Sequence, residues 1–166
     1  MPIDTGAAFV VVTHVSPDRI SMLPAIVGRA TAMPVIAAAD GIEVRPDHVY
    51  VLPEHGVLGF SDGCLRLMPA RPGLRERKPV DIFLAALAKD KREFCAAIIL
   101  SGGDSDGTLG VKAVKERGGM TMAQVADGSP PQNPDMPDAA ISTGMIYFAL
   151  PVQDMGARVQ EFARSF

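Results

Sequence analysis

Short apolar runs alternate with longer amphipathic stretches along this chain of 166 residues. The runs with the length and composition of buried strands cover 7–13, 34–38, 95–100, 120–124 and 145–150. The stretches with helical length and helical spacing of apolar positions cover 22–31, 80–92, 108–117 and 151–166. This alternation is typical of a parallel sheet covered by helices. We therefore predict an α/β fold with a doubly wound, mostly parallel sheet and helices on both faces.

Two segments depart from this alternation. Segment 48–68 holds apolar runs separated by the turn sequences Pro53-Glu54-His55-Gly56 and Ser61-Asp62-Gly63, which predict a β-hairpin excursion from the α/β body. Segment 127–137 carries four prolines, so we predict an irregular surface loop there. The only linker candidate, 69–79, is too short to separate two domains, and we predict one domain over residues 1–166.

Charge and composition narrow the functional classes. The chain has 16 basic and 19 acidic residues and a formal net charge of −3, which gives no electrostatic field suited to nucleic acid or anionic lipid. The longest purely apolar stretch, 7–12, is too short to span a bilayer. We therefore predict a cytoplasmic protein without membrane insertion or a nucleic-acid partner. Cys64 and Cys95 lack C-x-x-C spacing and are predicted to be reduced, partly buried thiols.

His14 follows the first predicted strand. In open parallel sheets, active sites form outside the carboxyl ends of the strands, so this histidine is a candidate. A lone histidine is more often a capping or packing residue, and we assign that role to His48 and His55 near the hairpin.

A Gly- and Asp-containing loop, 101–107, follows the predicted strand 95–100 and precedes the helix that begins near Thr108. Backbone N–H groups at such a strand–helix junction form an anion or oxyanion site. The spacing fits neither a dinucleotide nor a P-loop motif, nor a calcium loop. A divalent metal on Asp104 and Asp106 is an alternative, but a loop or capping role for Asp104 is favoured.

The same loop contains Gly103-Asp104-Ser105-Asp106-Gly107, the G-x-S-x-G pattern of a nucleophile elbow. That pattern needs a histidine after the serine, whereas every histidine of this chain precedes Ser105. An esterase that uses Ser105 is therefore kept as an alternative only. His14 and Asp106 supply the base and the carboxylate of a Ser-His-Asp triad, and the nucleophile is left unassigned.

From about residue 5 to residue 162, the chain resembles the catalytic domain of CheB-type chemotaxis protein-glutamate methylesterases. The resemblance is carried by motifs in family order at 10–17, 39–42, 46–53, 78–83, 99–107 and 136–140. The sequence of the loop that starts at Ser101 is more similar to CheB domains fused to a CheR-type methyltransferase than to the stand-alone chemotaxis enzymes.

The resemblance implies that His14 is the general base, Asp106 the triad carboxylate and the backbone N–H of Gly103 an oxyanion donor. It implies hydrolysis of glutamyl methyl esters, and deamidation of glutamines, on the cytoplasmic helices of methylated chemoreceptors in a chemotaxis-type phosphorelay. It implies no metal and no organic cofactor, and a CheR-type methyltransferase domain as a further partner.

Two departures from the family pattern accompany the resemblance. Family members begin with a strand and a Gly-Ala-Ser-Thr/Ala-Gly-Gly turn that holds the nucleophile. We expect this first strand–helix unit to be missing, so that the chain alone is inactive or nearly so, and its open sheet edge to favour a homo-oligomer. The usual Gly-Met-Gly is Gly102-Gly103-Asp104 here, which adds a negative charge near the oxyanion. A catalytically inactive module that binds receptors or signalling proteins is the other class of function consistent with these residues.

Overall fold

The computed structural model describes residues 4–14, 22–53, 56–69 and 78–166. The chain forms two compact units, Met1–Pro79 and Val80–Phe166. Their boundary falls at the end of the linker candidate, of which residues 70–77 lie outside the described residues. That residues 1–166 act as one domain stays a prediction.

The first unit holds a parallel sheet with the strand order β1-β3-β2. Its elements are β1 (Phe9–Val11), α1 (Leu23–Ala30), β2 (Val35–Ala37) and β3 (Val49–Val51). Every residue of the central strand β3 is buried, as expected for a strand with neighbours on both sides. Met33, Val49 and Val51 form a core cluster, against which apolar residues of β1, α1 and β2 pack.

The same unit contains the hairpin of β4 (Gly56–Ser61) and β5 (Cys64–Pro69), which pair antiparallel. Asp62 and Gly63 connect them with φ angles of 53° and 74°, as in the tight turns that suit hairpins. The predicted hairpin over 48–68 is therefore correct in kind but wrong at its start. Val49–Val51 belongs to the parallel sheet, because its pairing partners lie far away in the sequence, where local turn signals carry no information.

The second unit holds a parallel sheet with the strand order β6-β7-β8. Its elements are α2 (Pro79–Lys91), a short 3₁₀ helix (Arg92–Phe94), β6 (Ala96–Ile99), α3 (Thr108–Glu116), β7 (Met120–Gln124), α4 (Asp135–Ser142), β8 (Phe148–Leu150) and α5 (Val152–Ala163). Four successive residues of β7 are buried. Because successive side chains of a strand point to opposite faces, this burial requires cover on both faces, and α3, α4 and α5 all contact β7. The predicted α/β class is confirmed.

Helix α4 corrects the predicted loop over 127–137. The helix begins at Asp135, and both Met136 and Pro137 are buried. Proline in the first turn of a helix removes an N–H that has no intrahelical partner, so Pro137 costs the helix no hydrogen bond. Within the described ranges, no helix has the length and the apolar character needed to cross a membrane.

Candidate active site

The Gly- and Asp-containing loop lies where the sequence predicts it, after the carboxyl end of β6 and before α3. Its first residue, Ser101, donates its backbone N–H to Oε1 of Gln124 at 2.9 Å. The Ser101 hydroxyl donates to the carbonyl oxygen of Asn133 at 3.1 Å and accepts the Asn133 N–H at 2.9 Å. The start of the loop is thus fixed to β7 and to the segment before α4.

The two glycines that follow meet different neighbours. Gly102 donates its N–H to the Asn133 carbonyl at 2.9 Å and accepts the Met136 N–H at 3.0 Å. A Cβ atom on Gly102 would collide with the Met136 sulfur, so this position has no room for a side chain. A Cβ atom on Gly103 would lie 2.6 Å from Nδ2 of Asn133, which is the end of an exposed side chain. The absence of a side chain at Gly103 therefore leaves space that the Asn133 amide occupies.

Gly103 is the predicted oxyanion donor. The residue is exposed, and its N–H makes no hydrogen bond within the part of the chain that the structure describes. An N–H of this kind can donate to an incoming carbonyl oxygen at no cost to the fold.

Asp106 is fully buried, and its carboxylate receives backbone N–H groups from two segments. Oδ2 accepts the Val80 N–H at 2.9 Å, whereas Oδ1 accepts the Asp81 N–H at 2.9 Å and the Gly107 N–H at 2.8 Å. Val80 and Asp81 lie in the first turn of α2, where N–H groups have no intrahelical acceptor and a negative charge is favoured by the helix dipole. The carboxylate is therefore held in place within its own unit.

Asp104 has the loop role that the sequence analysis favours. Its Oδ1 accepts the Asp106 N–H at 2.5 Å, a local turn that shapes the backbone leading to the carboxylate. Among the described residues, no group of three metal-ligating side chains exists.

Asp81 is a residue that the sequence analysis missed. It is 7% exposed, and its Oδ1 accepts the Gly110 N–H in the first turn of α3 at 2.7 Å. In the sequence, Asp81 stands out only as part of the family motif at 78–83. Proline at the first helical position followed by aspartate in the first turn predicts the start of α2. This pattern does not predict that the aspartate side chain binds the first turn of a second helix, α3.

The histidines occupy different settings. His14 is exposed and follows the end of β1 in the first unit, while Asp106 belongs to the second, so their pairing stays a prediction. His48 lies 2.7 Å from the Pro46 carbonyl oxygen through Nδ1, and its ring stacks with Tyr50 at 6.3 Å between centroids, which agrees with a packing role. His55 lies outside the described residues.

The two cysteines agree with their predicted state. Both thiols are free, with Cys64 half-buried and Cys95 buried. Burial raises the pKa of the Cys95 thiol to about 11. Its Sγ donates to the Arg92 carbonyl oxygen at 3.1 Å, so Cys95 is a structural residue and not a nucleophile.

A cavity of about 270 Å³ lies at the carboxyl end of β7 and the amino end of α5. Its walls include Gln124, which also accepts the Ser101 N–H, together with polar residues of 127–132. In parallel α/β sheets, ligands bind at this edge.

The fold and the loop define the class as an α/β protein with parallel sheets and a Gly- and Asp-containing loop at the carboxyl end of a strand. The family model of CheB methylesterase matches residues 1–159. The chain belongs to the CheB methylesterase family, whose members are protein-glutamate methylesterases and thus carboxylic ester hydrolases. The predicted family is confirmed.

Relatives and a solved structure agree with this assignment. The chain is 32% identical over 165 residues to a protein-glutamate methylesterase/protein-glutamine glutaminase of Bordetella avium, covering 97% of this chain and 47% of that protein. It is 30% identical to the protein-glutamate methylesterase FrzG of Myxococcus xanthus, covering 90% of this chain and 44% of that protein. An uncharacterized 104.1 kDa protein of Rhodobacter capsulatus is 32% identical over 144 residues, which are 84% of this chain and 14% of that protein.

The catalytic domain of CheB methylesterase from Thermotoga maritima has the same fold. It superposes with a TM-score of 0.85 at 28% sequence identity, covering 97% of this chain and 86% of that chain. The present chain spans about half the length of the methylesterase relatives it matches.

Proposed function

We propose that this chain is the catalytic domain of a chemotaxis-type protein-glutamate methylesterase that hydrolyses glutamyl methyl esters on chemoreceptor helices. Deamidation of receptor glutamines is the second activity, since the Bordetella avium relative carries both names. The observation that carries the proposal is the match over residues 1–159, which includes His14 and the whole loop 101–107. The proposed location is the cytoplasm.

In the proposed mechanism, His14 removes the proton from a serine hydroxyl as that oxygen attacks the ester carbonyl. Asp106 accepts a hydrogen bond from the imidazole and stabilises its protonated form. The Gly103 N–H donates to the oxyanion of the tetrahedral intermediate. The imidazolium then protonates the departing methoxide oxygen, and methanol leaves as the acyl-enzyme forms. In the second half, His14 takes a proton from water as that water attacks the acyl-enzyme, and returning this proton to the serine oxygen restores the serine and releases the carboxylate. In the family, the serine lies in a strand–turn–helix unit that precedes the matched motifs, and no residue of this chain is assigned that role.

The test measures methanol release from receptor membranes that carry labelled glutamyl methyl esters, with the natural protein that contains these residues. We expect His14→Gln to reduce the rate by about a thousandfold or more, because the residues of a triad act as one unit. His48→Gln is the matched control and should retain the wild-type rate. Equal activity of His14→Gln and wild type would overturn the proposal, and loss in Ser105→Ala alone would support an esterase that uses Ser105.

The second candidate, a catalytically inactive binding module, is supported by the negative charge of Asp104 beside the Gly103 N–H. An unreactive module would bind methylated receptor helices with wild-type affinity in the His14→Gln variant and release no methanol in either form.

Two partners extend the proposal. Methylated chemoreceptor cytoplasmic helices are the substrate, and a CheR-type methyltransferase domain is a proposed neighbour in the same pathway or chain. The methyltransferase neighbour is supported by the sequence of the loop that starts at Ser101, which resembles CheB domains fused to a CheR-type methyltransferase. It is also supported by the Rhodobacter capsulatus relative, because the matched region makes up only 14% of that protein.

A homo-oligomer formed along β1 is the third proposed association. Within the described part of its unit, β1 pairs only with β3. The Phe9 N–H and the Val11 carbonyl bond towards β3, at 2.9 and 3.0 Å, so the polar groups of Val10 point to the other edge. Outward N–H and C=O groups on a strand edge can pair with a further strand, and we assign that strand to a second copy of the chain.

Size-exclusion chromatography with light scattering tests this association. Val10→Pro removes an outward N–H and should convert a dimer into a monomer. Ala37→Pro is the matched control, because it removes an outward N–H at the opposite edge of the same sheet. A stable wild-type monomer, or a dimer that survives Val10→Pro, would contradict the proposal.

A further inference from the structure

Two buried aspartates cap each other's helices. Asp106 lies just before α3, and its carboxylate accepts the N–H groups of Val80 and Asp81 in the first turn of α2, both at 2.9 Å. Asp81 lies in that first turn of α2, and its carboxylate accepts the Gly110 N–H in the first turn of α3 at 2.7 Å. The two carboxylates therefore join the amino ends of two helices in both directions.

We propose that Asp81 is a positioning residue. By holding the first turn of α2 against α3, it keeps the Asp106 carboxylate in place. This inference rests on the proposed function, in which Asp106 orients the His14 imidazole. Three backbone N–H groups of the described residues donate to the Asp106 carboxylate, and two of these three belong to the first turn of α2. Any shift of that turn relative to α3 therefore moves the carboxylate away from its place.

The packing of the two helices supports this role. A Cβ atom on Gly110 would lie 2.7 Å from Cβ of Leu84 on α2, so glycine is required for the observed approach of α3 to α2. The Asp81–Gly110 hydrogen bond lies at the same position, and Gly110 is buried. The glycine allows the close approach, and the carboxylate fixes its register.

Electrostatics also favours the arrangement. Both carboxylates are buried, and because burial disfavours the charged form of a carboxyl group, each needs compensation. The positive ends of the α2 and α3 dipoles supply it, since each carboxylate accepts N–H groups in a first helical turn. Removing Asp81 leaves the Gly110 N–H without this acceptor and loosens the turn that carries the Asp106 contacts.

A triad tolerates little displacement. The imidazole and its carboxylate must lie within about 2.6 to 3.2 Å of each other for the hydrogen bond that selects the correct tautomer. Asp81 is therefore expected to act on the chemistry without touching the substrate. Asn at this position keeps one acceptor oxygen and the same shape, whereas Ala removes both.

The experiment uses nuclear magnetic resonance on the 166-residue chain in three variants, Asp81→Ala, Asp81→Asn and Asp106→Asn, with Asp154→Ala as the matched control. Asp154 is also an acidic residue in the first turn of a helix, α5, and is exposed. Amide hydrogen exchange of Gly110 and Val80 reports the capping bonds. The ¹⁵N shifts of the His14 ring report which nitrogen carries the proton, a signature that a loss of stability alone does not change.

We expect Asp81→Ala to speed exchange at Gly110 by about tenfold or more, since hydrogen bonds to charged acceptors are the stronger ones. Asp81→Ala should also reduce the population of the His14 tautomer with the proton on Nδ1, as we expect for Asp106→Asn. Asp81→Asn should largely restore this population, and the control Asp154→Ala should leave it unchanged. If Asp106→Asn changes the His14 signature and Asp81→Ala does not, the positioning role is overturned and the triad stands. If neither variant changes it, the triad and with it the role of Asp81 are overturned.

Discussion

Removing the Asp106 carboxylate should destabilise the second unit strongly. The Asp106→Ala variant leaves three backbone N–H groups, those of Val80, Asp81 and Gly107, without their acceptor at a site where all three residues are buried. Each hydrogen bond to a charged acceptor contributes about 1.5 to 3 kcal/mol, and the sum is an upper bound because the vacated space admits water. A buried N–H group left without an acceptor costs about 1 to 3 kcal/mol, and because entering water offsets part of the loss at the three groups, we expect about 3 to 5 kcal/mol in total.

Urea unfolding followed by far-ultraviolet circular dichroism measures this loss. With a slope of about 2 kcal/mol per molar urea, the midpoint for the second unit should fall by about 2 M. Asp106→Asn keeps one acceptor oxygen and should lose less. Asp138→Ala, an exposed acidic residue in the first turn of α4, is the matched control and should change stability by less than about 1 kcal/mol. An Asp106→Ala midpoint equal to that of this control would refute the capping geometry.

Three further outcomes are expected. Iodoacetamide at pH 8 should modify Cys64 in the folded chain far faster than Cys95, because a rise in the pKa of the Cys95 thiol from 9.0 to about 11 lowers its thiolate fraction about a hundredfold. Since the raised pKa belongs to the folded state, the free energy of unfolding should also fall as pH rises from about 9 towards 11. Replacing Cys95 by Ala should remove that decrease. A fluorophosphonate probe should not label Ser105, and stoichiometric labelling there would revive the nucleophile-elbow interpretation. Gly102→Ala should cost about 1 to 3 kcal/mol in urea unfolding because its Cβ meets the neighbouring methionine sulfur, whereas Gly28→Ala, in an open helical position, should leave stability equal or higher.

Local signals predicted most of the fold. The run 120–124 became β7 residue for residue, and the other predicted strands contain shorter observed ones. The errors occurred where structure depends on distant partners or on exceptions to a local rule. The residues Val49–Val51 were grouped with a hairpin because turn sequences follow them, although their hydrogen bonds go to residues far earlier in the chain. Helix α4 was missed because prolines usually exclude helices, except in the first turn.

In the candidate site too, local features could be predicted from the sequence, whereas contacts between distant residues could not. The position of the loop 101–107 after a buried strand and before a helix could be predicted, as could the loop role of Asp104. The contacts of Asp81 could not, because its bond to Gly110 joins residues 29 positions apart and no local pattern encodes such a pair. The two hydrogen bonds between the Ser101 hydroxyl and the Asn133 backbone join residues 32 positions apart and likewise could not be predicted from the sequence.

A double-mutant cycle tests the central claim, that His14 and Asp106 act as one catalytic unit in a methylesterase. The measurement is the rate of methanol release from glutamyl methyl esters by the natural protein with His14→Gln, Asp106→Asn and both changes. Residues of a triad are strongly non-additive, so the double variant should be no slower than His14→Gln alone. If the two losses multiply, or if either single variant keeps the wild-type rate, the two residues do not form that unit.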